Sequence, residues 1–135
     1  MYAILDTNVL VAGLRSACGA SYQILQHTRH RKIDVAVSVS LVTEYESVLL
    51  RPGIIPNLAP AEIHSFIDGL CQMAYHQKVF YSWRPFLQDP GDDHILELAI
   101  AAGAGKVITH NLRDFEGSET FGIQALTPSQ ALQII

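Results

Sequence analysis

Short apolar runs alternate with helical-period segments along the whole chain, and this alternation restricts the fold more than any other feature. Tyr2-Ala3-Ile4-Leu5, Ile33 to Val37, Lys78 to Tyr81, Lys106 to Thr109 and Ile123 to Leu126 read as strands. Each is short, apolar or β-branched, and bounded by cap or turn residues. Between them lie helical stripes. After the cap candidates Ser38 and Ser40, the residues Leu41, Val42, Tyr45, Val48 and Leu49 recur at helical spacing. After Pro60 the residues Ile63, Phe66, Ile67, Leu70, Cys71 and Ala74 do the same. Residues 94–102 form a helix apolar on most sides that Gly103 ends, and Thr127-Pro128 opens a last one. The stretch from Asp6 to about Ser16 has room for one or two helical turns. A break follows at residues 16–20, and a second helix resumes at Ser21. Strands and helices in alternation imply a parallel sheet covered on both faces, joined by right-handed crossovers.

With 135 residues the chain fits one domain, 1–135, and can bury a real core. Its 49% hydrophobic and 16% charged residues argue against disorder. Nine basic against thirteen acidic residues give a net charge of −4, which excludes a generally cationic nucleic-acid binder but leaves a local basic groove open. The densest basic run, His27 to Lys32, reads either as a solvated helix end whose cations complement the macrodipole or as a phosphate clamp. Cys18 and Cys71 have no paired spacing and read as reduced thiols of a cytoplasmic protein. No apolar run approaches the ~20 residues that span a bilayer, and the N-terminus lacks the pattern of a secretion signal.

Acids fall where this topology would gather them. Asp6 ends the first strand, Asp92 and Asp93 open the helix that feeds the fourth, and Asn111 and Asp114 follow the fourth. If strands one and four are neighbours, these residues share the crevice at the switch point of a doubly wound sheet. Glu44, one turn into the helix after strand two, can lean over the same crevice. Packed carboxylates repel and raise one another's pKa, a cost that a hard divalent cation offsets. A water held by such an ion can attack phosphorus while the ion stabilises the charge that develops. Each acid also has a plainer reading: Asp6 and Asp93 as N-caps, Asp92 as a cap beside a ligating Asp93, Glu44 as a solvated helix residue, Asp114 as a turn residue after Asn111. The six histidines show no zinc-ligand spacing, although His94 and His110 flank the acids closely enough to meet a substrate phosphate.

These residues carry a resemblance to the PIN domain family, the metal-dependent nuclease fold that includes the VapC-type toxins of toxin–antitoxin pairs. Leu5-Asp6-Thr7-Asn8-Val9-Leu10, Glu44, Asp92-Asp93-His94-Ile95-Leu96, residues 108–115 and Ala125-Leu126-Thr127-Pro128 occur in the family's order over nearly the whole chain. The resemblance implies a three-layer α/β/α domain with a central parallel sheet of four to five strands in the order 3-2-1-4-5. It implies an endoribonuclease that hydrolyses RNA phosphodiesters with Mg²⁺ or Mn²⁺, a homodimeric state and a small antitoxin partner. The family's acids fall on Asp6, Glu44 and Asp93. The fourth position is Asn111, a departure that offers one neutral oxygen and weakens a second metal, for which Asp114 can compensate. Thr7, Asn8, Asp92 and Thr109 look like groups that hold the carboxylates in place.

Two other classes compete. A non-catalytic module of the same fold that binds RNA or a protein is motivated by Asn111 and the net charge. A phospho-receiver domain needs an acidic pair after strand one and a Lys after strand five, and neither Asp6-Thr7-Asn8 nor Leu126-Thr127-Pro128 provides them. An Asp-x-Asp phosphatase nucleophile fails at Asn8 in the same way.

Overall fold

A computed structural model describes residues 1–79 and 92–135 of the chain. Five strands form one sheet: β1 (Tyr2–Leu5), β2 (Asp34–Val37), β3 (Tyr75–His76), β4 (Lys106–Ile108) and β5 (Gln124–Leu126). Their order is β3-β2-β1-β4-β5 and every pairing is parallel. Ala3, Ile4 and Leu5 of β1 are each at most 1% exposed. Successive strand residues point to opposite faces, so a central strand buried at every position needs cover on both. Helices provide it: α1 (Thr7–Arg15), α2 (Ala20–Arg29), α3 (Val39–Leu49), α4 (Pro60–Met73), α5 (Asp93–Ala102) and α6 (Pro128–Gln133). The α5 helix packs across β1, β2 and β4, while α4 rests on β2 and α6 joins β5 to α2. The result is the α/β/α arrangement with sheet order 3-2-1-4-5 that the motifs implied.

Local chemistry sets the element boundaries. Ser38 caps α3, its hydroxyl accepting from the Leu41 N–H at 3.1 Å. Pro60 sits at N1 of α4, where its missing N–H costs nothing, and Glu62 closes back onto the Ala59 N–H at 3.0 Å. Gly103 ends α5 in the left-handed region, φ 71°. Thr127 and Gln130 form a reciprocal capping box on α6.

The third strand lies elsewhere than the sequence suggested. Tyr75 and His76 pair with Ala36 and Val37, and Lys78 and Val79 lie outside any strand. The α4 helix runs to Met73, so the chain enters the sheet almost at once, before the apolar stretch that attracted the strand reading. The remainder of that stretch, Phe80-Tyr81, and the loop through Trp83 to Gly91 lie outside the described residues. Among the described residues no helix is long and apolar enough to cross a membrane. Both cysteines are free, Cys18 exposed and Cys71 half-buried.

The basic run His27 to Lys32 is the end of α2. Backbone bonds from Lys32 and Ile33 to the His27 carbonyl close the helix, with Arg31 at φ 60°. It leads into the first residue of β2, so it stands at the sheet's N-terminal edge, the edge opposite Asp6. That position fits the helix-end reading and removes the run from the acidic crevice.

Candidate active site

Strand β1 lies between β2 and β4, so the chain leaves β1 toward one side of the sheet and returns to its other side. The C-terminal ends of β1 and β4 therefore border the switch-point crevice. Asp6 stands one residue past β1 and Thr109 one residue past β4. The ladder continues between them, the Asp6 N–H donating to the Ile108 carbonyl at 2.9 Å.

Asp6 is 7% exposed, and both of its carboxylate oxygens are engaged. Oδ1 accepts the Thr7 N–H at 2.8 Å, so Asp6 does cap α1. Oδ2 accepts the Thr109 hydroxyl at 2.8 Å and the Asn8 side-chain amide at 3.3 Å. Asn8 also accepts the His110 N–H at 3.2 Å, and Thr109 Oγ1 accepts the Asn111 N–H at 3.0 Å. Burial raises the Asp6 pKa, the bonds from Thr109 and Thr7 oppose that rise, and the charges of Glu44 and Asp114 add to it. The repulsion means that both acids stand close enough to act on Asp6.

Glu44 is tied into the same group from α3. Its Oε2 accepts the Thr7 hydroxyl, and its Oε1 lies 3.1 Å from His94 Nε2. The His94 bond is the main cause of a lowered Glu44 pKa; burial opposes it and Thr7 reinforces it. Glu44 is thus held as an anion in the half-buried rim. Tyr45, one residue on, is fully buried and donates its hydroxyl to the Leu5 carbonyl at 2.5 Å. Its phenol is pushed well above its ordinary pKa, first by burial and then by Asp6 and Glu44. The bond pins α3 to the end of β1 next to Asp6.

Of the remaining positions, Asp92, Asn111 and Asp114 line the cleft that Asp6 opens onto, and Asp93 and Glu44 are not among its lining residues. Asp93 is the first residue of α5, at 1% exposure, rather than its cap. Asp92 occupies the cap position, yet its side chain makes no capping bond and lines the cleft instead. Asn111 is exposed, and it precedes a short 3₁₀ turn, Leu112–Phe115, that carries Asp114. Asp6, Thr7, Asn8, Asp92, Asn111 and Asp114 line one open cleft of about 930 Å³. The donors gathered here are oxygens, the class that a hard divalent cation takes, and such an ion would offset the burial that chiefly raises the Asp6 pKa as well as the smaller contributions of Glu44 and Asp114. Among the described residues no three His, Cys, Asp or Glu groups form a set ready to hold one ion. Each Glu44 oxygen retains a second lone pair beside the bond it already accepts.

Sequence reasoning placed His94 and His110 toward substrate. In the structure His94 holds Glu44, and His110 Nε2 shares a 2.6 Å hydrogen bond with Ser21 Oγ of α2. It treated Tyr45 as part of an apolar stripe only. The available signal was a phenol inside that stripe, because a buried Tyr hydroxyl needs a partner. No local signal pointed to the His94–Glu44 pair, which joins residues 50 positions apart.

An acid-lined crevice at the switch point of a 3-2-1-4-5 parallel sheet defines a class of doubly wound domain built for oxygen-donor chemistry. The chain belongs to the PIN domain family, whose model matches residues 2–113. Among solved structures it is similar to a chain of VapBC2 from Rickettsia felis bound to a DNA fragment from their promoter. That likeness has a TM-score of 0.61 at 15% identity and covers 94% of this chain and 98% of that one. No curated protein matches the chain by sequence.

Proposed function

We propose that the protein is a metal-dependent endoribonuclease that hydrolyses RNA phosphodiesters, acting as the toxin of a toxin–antitoxin pair. The observation that carries this reading is Asp6: a buried carboxylate at the switch point, fixed by Thr109 and Thr7, with the charges of Glu44 and Asp114 acting on it. Asp6 and Asp93, with Glu44 and Asp114, would hold Mg²⁺ or Mn²⁺, and Asn111 would add a neutral oxygen. The ion would supply a polarised water and neutralise charge that develops on the phosphate. The chain's own work is orientation. Asn8 and Thr109 set the Asp6 rotamer, and Thr7 with His94 sets that of Glu44. Membership of the family supports the nuclease activity, and the VapBC2 likeness supports a small antitoxin partner, which would cover the acidic cleft. A homodimer in the cytoplasm completes the proposal.

Purified protein is expected to cleave RNA with Mn²⁺ or Mg²⁺ and to stop with EDTA or with Asp6→Asn. Equal cleavage under all of these conditions would end the reading. A second reading, a catalytically weak module that binds RNA or a protein, is favoured by Asn111 in place of an acid and by the open donor set. Calorimetric titration with Mn²⁺ separates the two, since the weak module predicts no uptake at millimolar metal.

A further inference from the structure

The acidic cleft has a second end. It runs along the face of α1 that presents Thr7, Asn8, Val11, Ala12 and Arg15, and against Val48 in the last turn of α3 and Arg51 two residues past that helix. Arg15 and Arg51 are exposed, and neither guanidinium makes a hydrogen bond or ion pair among the described residues. That is unusual company for three acidic cleft residues, Asp6, Asp92 and Asp114, in a chain of net charge −4. Arg15 also lies in the last turn of α1, where a cation complements the helix dipole. Arg51 stands just past the C-cap of α3, so dipole complementation accounts for a cation at each helix end but not for the two ends opening onto one cleft.

We propose that Arg15 and Arg51 form a phosphate clamp for single-stranded RNA, a few nucleotides from the bond that is cut. The proposal rests on the nuclease reading and extends it to how the substrate is held. An ion at the acidic end would engage only the phosphate at the cut, so a longer strand needs further contacts along the cleft. From Thr7 to Arg15 the cleft advances about 12 Å at 1.5 Å per helical residue. A stacked strand rising about 3.4 Å per nucleotide covers that in about three to four nucleotides. Val11, Ala12 and Val48, all half-buried, line the span between the ends and give exposed bases an apolar surface. A single strand can lay its bases there, whereas a duplex keeps them inside. Arginine suits the task because its planar fork matches phosphate oxygens.

Two measurements test the clamp. Cleavage of a dinucleotide and of a twelve-nucleotide single-stranded RNA is compared for the wild type and the Arg15→Ala/Arg51→Ala double variant. The loss in kcat/KM is expected to be at least about tenfold larger on the longer RNA and to fall on KM. Separately, anisotropy with the same RNA in the non-cleaving Asp6→Asn background gives the slope of log K against log salt. Removing both arginines is expected to flatten it by about 1.4, at about 0.7 per phosphate contact on a single strand. Equal losses on both RNAs, or an unchanged slope, would overturn the clamp. If the wild type cuts neither RNA, the nuclease reading falls, while the salt slope still decides whether these arginines grip RNA. A melting temperature within about 2 °C of the wild type confirms that the double variant is folded.

Discussion

Asp6 and Glu44 stand one hydrogen-bonded threonine apart, yet their environments push them in opposite directions, and stability should record both. Burial raises Asp6, so its contribution to folding is present below its unfolded pKa and is lost as pH rises through the folded value. At neutral pH the ionised, metal-free Asp6 is a burden. Asp6→Asn should therefore melt no lower than the wild type at pH 7 without metal, and added Mn²⁺ should no longer raise its melting temperature. A clear drop in the metal-free melting temperature would contradict this. Glu44 is lowered by His94, so its contribution is present above its unfolded pKa and is lost as pH falls through the folded value. The melting gap between wild type and Glu44→Gln should be open at pH 7 and close in acid. Scanning calorimetry across that range checks the sign.

At the scale of elements, the site depends on how α1, α2 and α3 seat against β1. The Tyr45 hydroxyl is the strut between α3 and the end of β1, and its removal strands the buried Leu5 carbonyl. Tyr45→Phe is expected to cost about 1–2 kcal/mol in urea unfolding and to reduce cleavage, since Glu44 and Asp6 lose their common brace. Gly13 marks the close approach of α1 to α2. A Cβ there would meet Leu25 Cδ1 at 2.5 Å and the Ser21 carbonyl oxygen at 3.1 Å. In an open helix Gly→Ala gains up to about 1 kcal/mol. Here the Leu25 tip can turn away but the Ser21 backbone cannot, so Gly13→Ala should cost about 1–3 kcal/mol. Ser21 also carries the bond to His110, so the same variant should disturb the loop after β4. The element that sequence pattern misplaced, β3, consists of two exposed residues at the sheet edge. Such a strand carries almost no burial signal, and only its pairing with β2 defines it.

For the molecule as a whole, the test is whether a cation ties these elements together. Metal that binds the folded state alone adds about 2.7 kcal/mol at a hundredfold excess over Kd. For a chain of this size that is a melting shift of roughly 10 °C. The wild type is expected to show such a rise with Mn²⁺ and to lose it with EDTA, and a flat response would favour the module reading. Much of this was legible in the order of residues. Strand–helix alternation is a local pattern of apolar spacing, and it fixed the layers. The resemblance then supplied the strand order, and the acids sit at element ends that caps and turns mark. Tertiary structure alone decided which groups touch. Asp6 meets Thr109 across 103 positions and Glu44 meets His94 across 50 because β1 is flanked by β2 and β4. The two arginines at the far end of the cleft belong to the same category. Local periodicity can say that a residue ends a helix, but only packing between helices says which cleft that end faces.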